Sequence, residues 1–209
     1  MNRGIGPKII FQYLRMENRY TEYMYECGTD EVGRGCLAGP VVAAAVILPK
    51  DFYHPKLNDS KKMSEKSRNE VFEYIKENAI AYGIAQVSVD YIESHNILNA
   101  SIEAMHEAIR LMSVRPEFIL VDGNQFQQLD EIPHACIIKG DSKFSSIAAA
   151  SVLAKVSRDR LMKKLSEKFS GYGWETNAGY GTKAHISAIN EKGITPWHRK
   201  SFLGNILKT

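Results

Sequence analysis

Two adjacent carboxylates, Asp30 and Glu31, stand directly before a Gly-Arg-Gly turn at residues 33–35 and an apolar segment at residues 41–48. Strands need apolar residues and tight turns need glycine, but neither needs two acids where they meet. Acidic side chains rarely lie inside a protein unless they are paired or bind a metal ion. This stretch therefore predicts a metal site at the edge of a buried sheet.

Two further acids follow short apolar segments later in the chain. Asp122 comes after residues 118–121 and before Gly123, and Asp141 comes after residues 135–138. Strand ends that lie side by side would bring these acids to the first pair. Close carboxylates repel one another, and some would protonate unless a cation joined them. Hard divalent cations prefer oxygen ligands, and two of them can promote in-line hydrolysis of a phosphodiester.

Each acid also has a purely structural explanation. Asp-Gly is a common turn dipeptide, so Asp122 can merely end a strand, and Asp141 can equally cap the helix that follows it. Adjacent residues of a regular strand point to opposite faces, so we expect Asp30 and Glu31 to share a site only where the strand ends or bulges. Asp159, flanked by two arginines in a helical segment, is predicted to form an ion pair rather than to bind metal.

The hydrophobic pattern predicts an α/β fold, with antiparallel strands early in the chain and strand–helix alternation later. The predicted strands are residues 23–29, 41–48, 79–87, 118–121 and 135–138. The predicted helices are residues 65–78 after an N-cap at Ser64, residues 88–95, a helix capped by Asn99, and residues 143–169 and 183–191. Small residues at 148–151 favour close packing of the long helix on the sheet. We expect one domain over residues 21–209 with a helical C-terminal appendage, after an N-terminal extension of residues 1–20.

The 209 residues carry a net charge of +3, which permits a nucleic-acid partner. Basic residues are concentrated in the C-terminal third and predict a phosphate-facing surface, with a solvated helix face as the alternative. They include Lys155, Arg158, Arg160, Lys163, Lys164, Lys168, Lys183, Lys192, Arg199, Lys200 and Lys208.

Three cysteines without Cys-x-x-Cys spacing fit reduced thiols, and Cys27 and Cys136 are expected in the core. The apolar runs are too short to span a bilayer and no signal peptide is recognisable, so we expect a cytoplasmic protein without a membrane partner. The six histidines lack metal-ligand spacing. His54, His95, His106, His134 and His185 are interpreted as structural, whereas His198 is assigned either a phosphate contact or a structural role.

Several motifs of this chain resemble those of one enzyme family. Asp-Glu-Val-Gly-Arg-Gly at residues 30–35, followed by Leu-Ala-Gly-Pro at 37–40, resembles the signature of ribonuclease HII, the type 2 ribonuclease H. Further blocks match in the same order up to about residue 202. They are Asn-Asp-Ser-Lys-Lys at 58–62, Val-Asp-Gly-Asn at 121–124, Lys-Gly-Asp-Ser at 139–142, the helix at 150–159, Gly-Tyr at 179–180 and His-Arg-Lys-Ser-Phe at 198–202.

The resemblance implies a ribonuclease H-like, mixed five-stranded sheet flanked by helices. It implies an endonuclease that cuts the RNA strand of RNA–DNA hybrids and nicks duplex DNA 5′ to an embedded ribonucleotide, leaving 3′-hydroxyl and 5′-phosphate ends. Such an enzyme would act in ribonucleotide removal and primer processing as a monomer. Its cofactors would be two divalent ions, Mn²⁺ or Mg²⁺.

The resemblance also assigns roles to residues. The catalytic, metal-binding set would be Asp30, Glu31, Asp122 and Asp141. The substrate-binding residues would be Gly33, Arg34, Gly35, Lys61 and Tyr180, with the glycine turn sensing the ribose 2′-hydroxyl and the tyrosine packing on the next sugar. Cys36 and Gly181 stand where the family usually has proline, which puts in doubt the shape of the turn and the firmness of the tyrosine loop.

Three other identities are compared with this one. A resolvase of the ribonuclease H-like superfamily would share the fold, but the Gly-Arg-Gly turn argues against it. A hybrid-binding protein without catalysis is disfavoured because all four acids are present. The sibling family, ribonuclease HIII, usually has an acidic residue after the Gly-Arg-Gly turn and an added N-terminal domain. Here Cys36 is not acidic, and we expect the predicted extension to be too short for such a domain.

Overall fold

The apolar segments form a single mixed sheet in the computed structural model, which describes residues 16–204 and 206–207. The five strands are β1 Glu26–Val32, β2 Val41–Ile47, β3 Ala81–Val87, β4 Phe118–Asp122 and β5 His134–Ile137. Their order in the sheet is β3-β2-β1-β4-β5. β1 pairs antiparallel with β2, as its short link predicts, and parallel with β4, and β4 in turn pairs parallel with β5.

Helices cover both faces of this sheet, which confirms the predicted fold class. They are α1 Glu65–Asn78, α2 Val89–Arg110, α3 Ser145–Lys168, α4 Trp174–Asn177 and α5 Lys183–Lys192, with short 3₁₀ helices at Gly140–Ser142 and Lys200–Phe202. Along β2 the side chains alternate, so that Ala43 and Ala45 face α2 while Ala44 and Val46 face α1 and α3. No helix in the described residues is long and apolar enough to cross a membrane.

Small residues set the close approach of α3 to the sheet, as the sequence predicts. Ala148, Ala149 and Ala150 are fully buried in α3. A Cβ added at Gly28 of β1 would lie 2.3 Å from the backbone carbon of Ser146. Only glycine fits at that position, because the helix backbone rests directly on the strand.

Two local predictions are wrong. α2 is broken at Asn96, whose φ is 65°, and the Asn96 Oδ1 accepts hydrogen bonds from the Leu98 and Asn99 backbone N–H groups. Asn96 rather than Asn99 therefore caps the second half of α2. The first strand is also displaced: β1 begins at Glu26 and continues to Val32, so the two acids lie within it and not beyond its end.

The described residues near each end of the chain pack on the sheet and its helices. The Glu17 backbone pairs with Lys143 and Ser145, and the Asn18 side chain donates to the Lys50 and Phe52 carbonyls. Residues 1–15 of the predicted extension lie outside the described residues, and its boundary at residue 20 stays a prediction. At the other end, α4, α5 and the tail pack on the C-terminal half of α3.

Candidate active site

The carboxyl ends of three parallel strands bring the predicted acids together. Thr29 of β1 lies opposite Val121 of β4, so Asp30 and Asp122 follow at adjacent positions of neighbouring strands. Asp141 lies in the 3₁₀ turn that follows β5, the next strand in the sheet. Ligand sites of α/β sheets form at this edge because the loops that follow the strands converge there.

Asp30 and Glu31 reach this edge from opposite faces of the sheet. The β1–β2 register continues without a bulge through Asp30↔Ala44 and Glu31↔Ala43. Ala44 belongs to the layer beneath α3 and Ala43 to the layer beneath α2, so the two acids also face different layers. The strand neither ends nor bulges here, as sharing one site would require, although Asp122 acts electrostatically on both side chains. That Asp30 and Glu31 share a site therefore stays a prediction.

Burial and mutual repulsion raise the pKa values of three of the four acids. Burial, with the charges of Glu31 and Asp122, raises the pKa of Asp30 well above its usual range. Burial also raises the pKa of Glu31, although the nearby Arg34 guanidinium opposes that shift. The pKa of Asp141 is raised by burial and then by Asp122. Asp122 is thus the neighbour that the three other carboxylates share, and a cation at this place would relieve the repulsion among them.

Hydrogen bonds fix two of the acids. Asp122 Oδ1 accepts the Gly140 N–H at 2.7 Å, and the Ser151 hydroxyl is hydrogen-bonded to the Asp30 carboxylate. The Ser151 Oγ also lies 2.9 Å from the Ser60 Oγ, and both serines are buried. The sequence analysis assigns neither serine a role: both lie in motifs of the family resemblance, and Ser151 also belongs to the small-residue patch that predicts close packing.

Asp141 does not cap α3. It is the middle residue of the Gly140–Ser142 turn, whereas Phe144 occupies the N-cap position of α3 without a side-chain hydrogen bond. The capping explanation for this acid is therefore wrong, and its side chain belongs to the carboxylate group at the sheet edge.

The carboxylates offer the oxygen donors that divalent cations prefer. Among the described residues, no three His, Cys, Asp or Glu side chains are arranged to hold an ion by themselves. Glu31 and Asp122, however, line a cleft of about 420 Å³ that also includes Arg34. Mg²⁺ keeps several waters and takes ligands from substrate phosphates, so one or two carboxylates per ion are sufficient. The carboxylates therefore fit divalent ions whose remaining coordination positions are filled by water and by substrate phosphates.

The predicted substrate residues lie beside the acids. Gly33 has a φ of +98°, which favours glycine, and the Arg34 Nη1 lies 3.2 Å from the Glu31 Oε1. A β-bridge joins Cys36, directly after the turn, to Tyr180, whose side chain is 41% exposed. The Gly-Arg-Gly turn and the tyrosine, which are distant in sequence, thus form one surface.

Lys61 approaches from a different loop. It is exposed in the segment at residues 58–62, and the charges of Lys61 and Lys62 act on the Asp141 carboxylate. In the same segment Asp59 pairs with Lys62 at 3.7 Å. The structure therefore places Lys61 near the fourth acid.

The predicted basic surface is only partly correct. Arg158 and Arg199 are fully buried and donate hydrogen bonds to backbone carbonyls, so neither faces a phosphate. Arg160 pairs with Glu73 of α1. Asp159 forms the expected ion pair, with Lys155 at 2.7 Å.

His185 and His198 form a buried cluster behind Tyr180. Their Nε2 atoms lie 3.2 Å apart, and the Trp174 indole N–H donates to the His185 Nε2 at 3.0 Å. The His185 Nδ1 lies 2.9 Å from the Tyr180 carbonyl oxygen. Because His198 is only 2% exposed, its structural role is confirmed and the phosphate contact is wrong.

This cluster makes folding stability depend on pH. Burial, followed by the charge of His185, lowers the pKa of His198 from 6.5 to about 4. Between these pH values the unfolded chain binds the extra proton, so stability falls as the pH is lowered from 6.5 towards 4, by up to about 3 kcal/mol. We expect the difference in unfolding free energy between the wild type and His198→Gln to narrow over that range in urea titrations. The exposed His95→Gln is the control, and parallel curves for wild type and His198→Gln would contradict the prediction.

The family model and the relatives described below carry the same family name. The family model described as Ribonuclease HII matches residues 27–204. A protein named Ribonuclease HII from Christiangramia forsetii is 53% identical over 187 residues, which are 90% of this chain and 94% of the relative. Another from Porphyromonas gingivalis is 55% identical over 179 residues, covering 86% of this chain and 89% of that protein.

Solved structures share the same fold. The ribonuclease H2 of Pyrococcus horikoshii superposes with a TM-score of 0.74 at 22% identity, over 89% of this chain and all of that one. Ribonuclease HII of Archaeoglobus fulgidus, solved in complex with PCNA, gives 0.67 at 26% identity, over 84% of this chain and 94% of its own. A ribonuclease HIII in complex with Mn²⁺ gives 0.61 at 18% identity, over 90% of this chain and 71% of its own.

Proposed function

The chain belongs to the ribonuclease HII family, ribonucleases H that cut RNA in RNA–DNA hybrids, and from this premise we propose its detailed reaction. The enzyme hydrolyses the phosphodiester 5′ to a ribonucleotide, in a hybrid or within duplex DNA, and leaves 3′-hydroxyl and 5′-phosphate ends. It serves ribonucleotide removal and primer processing. The observation that carries this proposal is that Asp122 acts electrostatically on Asp30, Glu31 and Asp141 at a sheet edge beside the glycine turn.

Asp30, Glu31, Asp122 and Asp141 would hold two divalent ions, Mn²⁺ or Mg²⁺. When bound, such ions lower the pKa of a water and stabilise charge on the leaving oxygen. The protein keeps the Asp122 carboxylate in place through the Gly140 N–H. In the absence of substrate the Arg34 guanidinium pairs with Glu31 and balances part of the negative charge.

The substrate contacts follow from the surface beside the acids. The exposed backbone of Gly35 allows a ribose to approach closely, since nothing lies within 4 Å of the place where its Cβ would be. The 2′-hydroxyl is the group that distinguishes RNA from DNA, and the Gly33-Arg34-Gly35 turn would sense it. Tyr180 would pack on the neighbouring sugar, and Lys61 would contact a phosphate as an exposed cation. The enzyme would act as a monomer in the cytoplasm.

The test is a labelled DNA duplex that contains one ribonucleotide, with the all-DNA duplex as control. The wild type is assayed with Mg²⁺, with Mn²⁺ and with EDTA, and the expected product is one metal-dependent nick 5′ to the ribonucleotide. Cleavage of an all-DNA duplex or junction would instead support a resolvase. Tight hybrid binding without cutting in either metal would support a binding protein and overturn the proposal.

The packing role of Tyr180 predicts that its ring matters more than its hydroxyl. Stacking of a base on an aromatic ring contributes about 1–3 kcal/mol. We expect the sugar contact of Tyr180 to contribute at the lower end of that range, so Tyr180→Ala should lower kcat/KM on the single-ribonucleotide duplex by roughly tenfold. Tyr180→Phe keeps the ring and should stay within about threefold of the wild type. Steady-state kinetics of both variants decide the matter, and equal losses in the two would refute a role for the ring.

A further inference from the structure

Two fully buried arginines lie beneath the surface that carries the glycine turn and Tyr180. The Arg158 guanidinium donates to the carbonyl oxygens of Pro40 at 3.0 Å, Ala38 at 2.9 Å and Ala178 at 2.7 Å. The Arg199 guanidinium donates twice to the Gly39 carbonyl, at 3.0 and 2.8 Å, and once to the Arg34 carbonyl at 2.9 Å. Every acceptor is therefore a backbone oxygen of the two segments that would meet the ribonucleotide.

The contacts of Arg158 tie together parts of the chain that are far apart in sequence. One side of its fork holds the segment that follows the turn, and the other side holds Ala178, two residues before Tyr180. A Cβ at Gly33 would lie 2.3 Å from the Arg158 Nε, so the turn rests directly on the guanidinium. The backbone adds support, because Leu37 N–H donates to the Gly179 carbonyl at 2.8 Å.

Burial of both arginines costs folding free energy, which argues that their hydrogen bonds have a function. Neither arginine forms an ion pair with a carboxylate in the described residues, although burying a charge without one normally destabilises a protein. Burial lowers the pKa of Arg199 to about 10, while the charge of Arg158 acts in the same direction. A neutral side chain could fill the same space, but it would not supply donors that diverge to several carbonyls.

We propose that Arg158 and Arg199 are positioning residues that hold the Gly33-Arg34-Gly35 turn and Tyr180 at a fixed spacing, and so set the selectivity for a ribonucleotide. This inference rests on the proposed function of that surface. A turn and a ring that read one ribose and its neighbour must keep their separation to a fraction of an ångström. The planar forks provide that constraint because each donates to more than one backbone carbonyl of these segments.

Lysine substitutions separate the effect of the planar guanidinium group from the effect of its positive charge. Lysine keeps the positive charge but replaces the planar fork with a single nitrogen. We expect Arg158→Lys and Arg199→Lys to lose selectivity, whereas Arg160→Lys, on the exposed side of the same helix, is the matched control. The measured quantity is the ratio of Kd for the all-DNA duplex to Kd for the single-ribonucleotide duplex, obtained by fluorescence anisotropy in an Asp122→Asn background.

The expected result is a fall of at least about fivefold in this ratio for both buried variants, mainly through weaker binding of the ribonucleotide duplex. Arg160→Lys should leave the ratio unchanged. If the lysine variants keep the full ratio while remaining folded, the positioning role is overturned. An Asp122→Asn protein with both arginines intact that shows no preference between the two duplexes would instead refute the proposed function of the surface.

Hydrogen exchange of the wild type tests the spacing without any buried substitution. If the two arginines join these segments, the amides of Leu37, Gly39 and Arg199 should open together, with the same free energy of exchange. Their backbone N–H groups donate to Gly179, Trp197 and Leu37 respectively. Independent and rapid exchange of Leu37 would show that the turn and the Tyr180 segment move separately, and would overturn the proposal even if the lysine variants did not fold.

Discussion

Asp122→Asn is expected to lower the rate of metal-dependent cleavage by about 1,000-fold or more, the largest effect on activity that the structure predicts. Asp122 is the acid whose charge acts on Asp30, Glu31 and Asp141 alike. An asparagine keeps an oxygen that can accept the Gly140 N–H, so the local backbone should be preserved. The variant thus removes the charge of one proposed metal ligand and leaves its position otherwise intact.

Single-turnover cleavage of the single-ribonucleotide duplex measures this loss, and the exposed Asp51→Asn is the control. A second measurement follows the protein without substrate. Ions that bind the folded state raise its melting temperature, so Mn²⁺ should stabilise the wild type more than Asp122→Asn. In EDTA the melting temperature of Asp122→Asn should exceed that of the wild type, because the variant lacks one of four repelling charges. Full activity of Asp122→Asn would remove this acid from the proposed catalytic set.

Gly28→Ala is expected to cause a large loss of stability from a single added methyl group. Its Cβ would lie 2.3 Å from the Ser146 backbone carbon and 2.4 Å from the Ile147 nitrogen. Because both atoms belong to the backbone of α3, no side-chain rotation relieves the clash, and the helix must move off the sheet. We expect a loss of more than about 3 kcal/mol in the free energy of unfolding, measured by urea denaturation.

Gly35→Ala provides the matched comparison on the same strand–turn segment. No atom lies within 4 Å of its added Cβ, and its φ lies outside the positive region that disfavours other residues. Its unfolding free energy should stay within about 0.5 kcal/mol of the wild type. Equal losses in the two variants would show that loss of glycine, rather than contact with α3, governs stability here.

Much of this protein was determined by local sequence. Apolar runs bounded by polar residues identified the five strands, and the spacing of Val71, Phe72 and Ile75 identified the buried face of α1. The four acids were candidates because each follows an apolar segment, although a turn or a helix cap could equally explain Asp122 and Asp141 taken singly. The order of the motifs then indicated the family, which comparison with known proteins confirmed.

Tertiary structure decided what local patterns do not contain. Asp30 and Glu31 lie on opposite faces of an unbroken strand, and only the parallel pairing of β1 with β4 places Asp122 beside both. The residue type does not show whether an arginine is exposed to solvent or bonded to backbone carbonyls. The burial of Arg158 and Arg199 was therefore not predictable from composition. The His185–His198 contact likewise joins residues from α5 and the tail.

The physical reason is the range of each interaction. Hydrophobic periodicity and turn preferences act within a few residues, so the sequence shows them directly. Hydrogen bonds from Arg158 to Ala38 and from Arg199 to Arg34 span 120 and 165 residues along the chain. These segments meet only when the sheet and α3 assemble, so the local sequence does not show which residues are brought together.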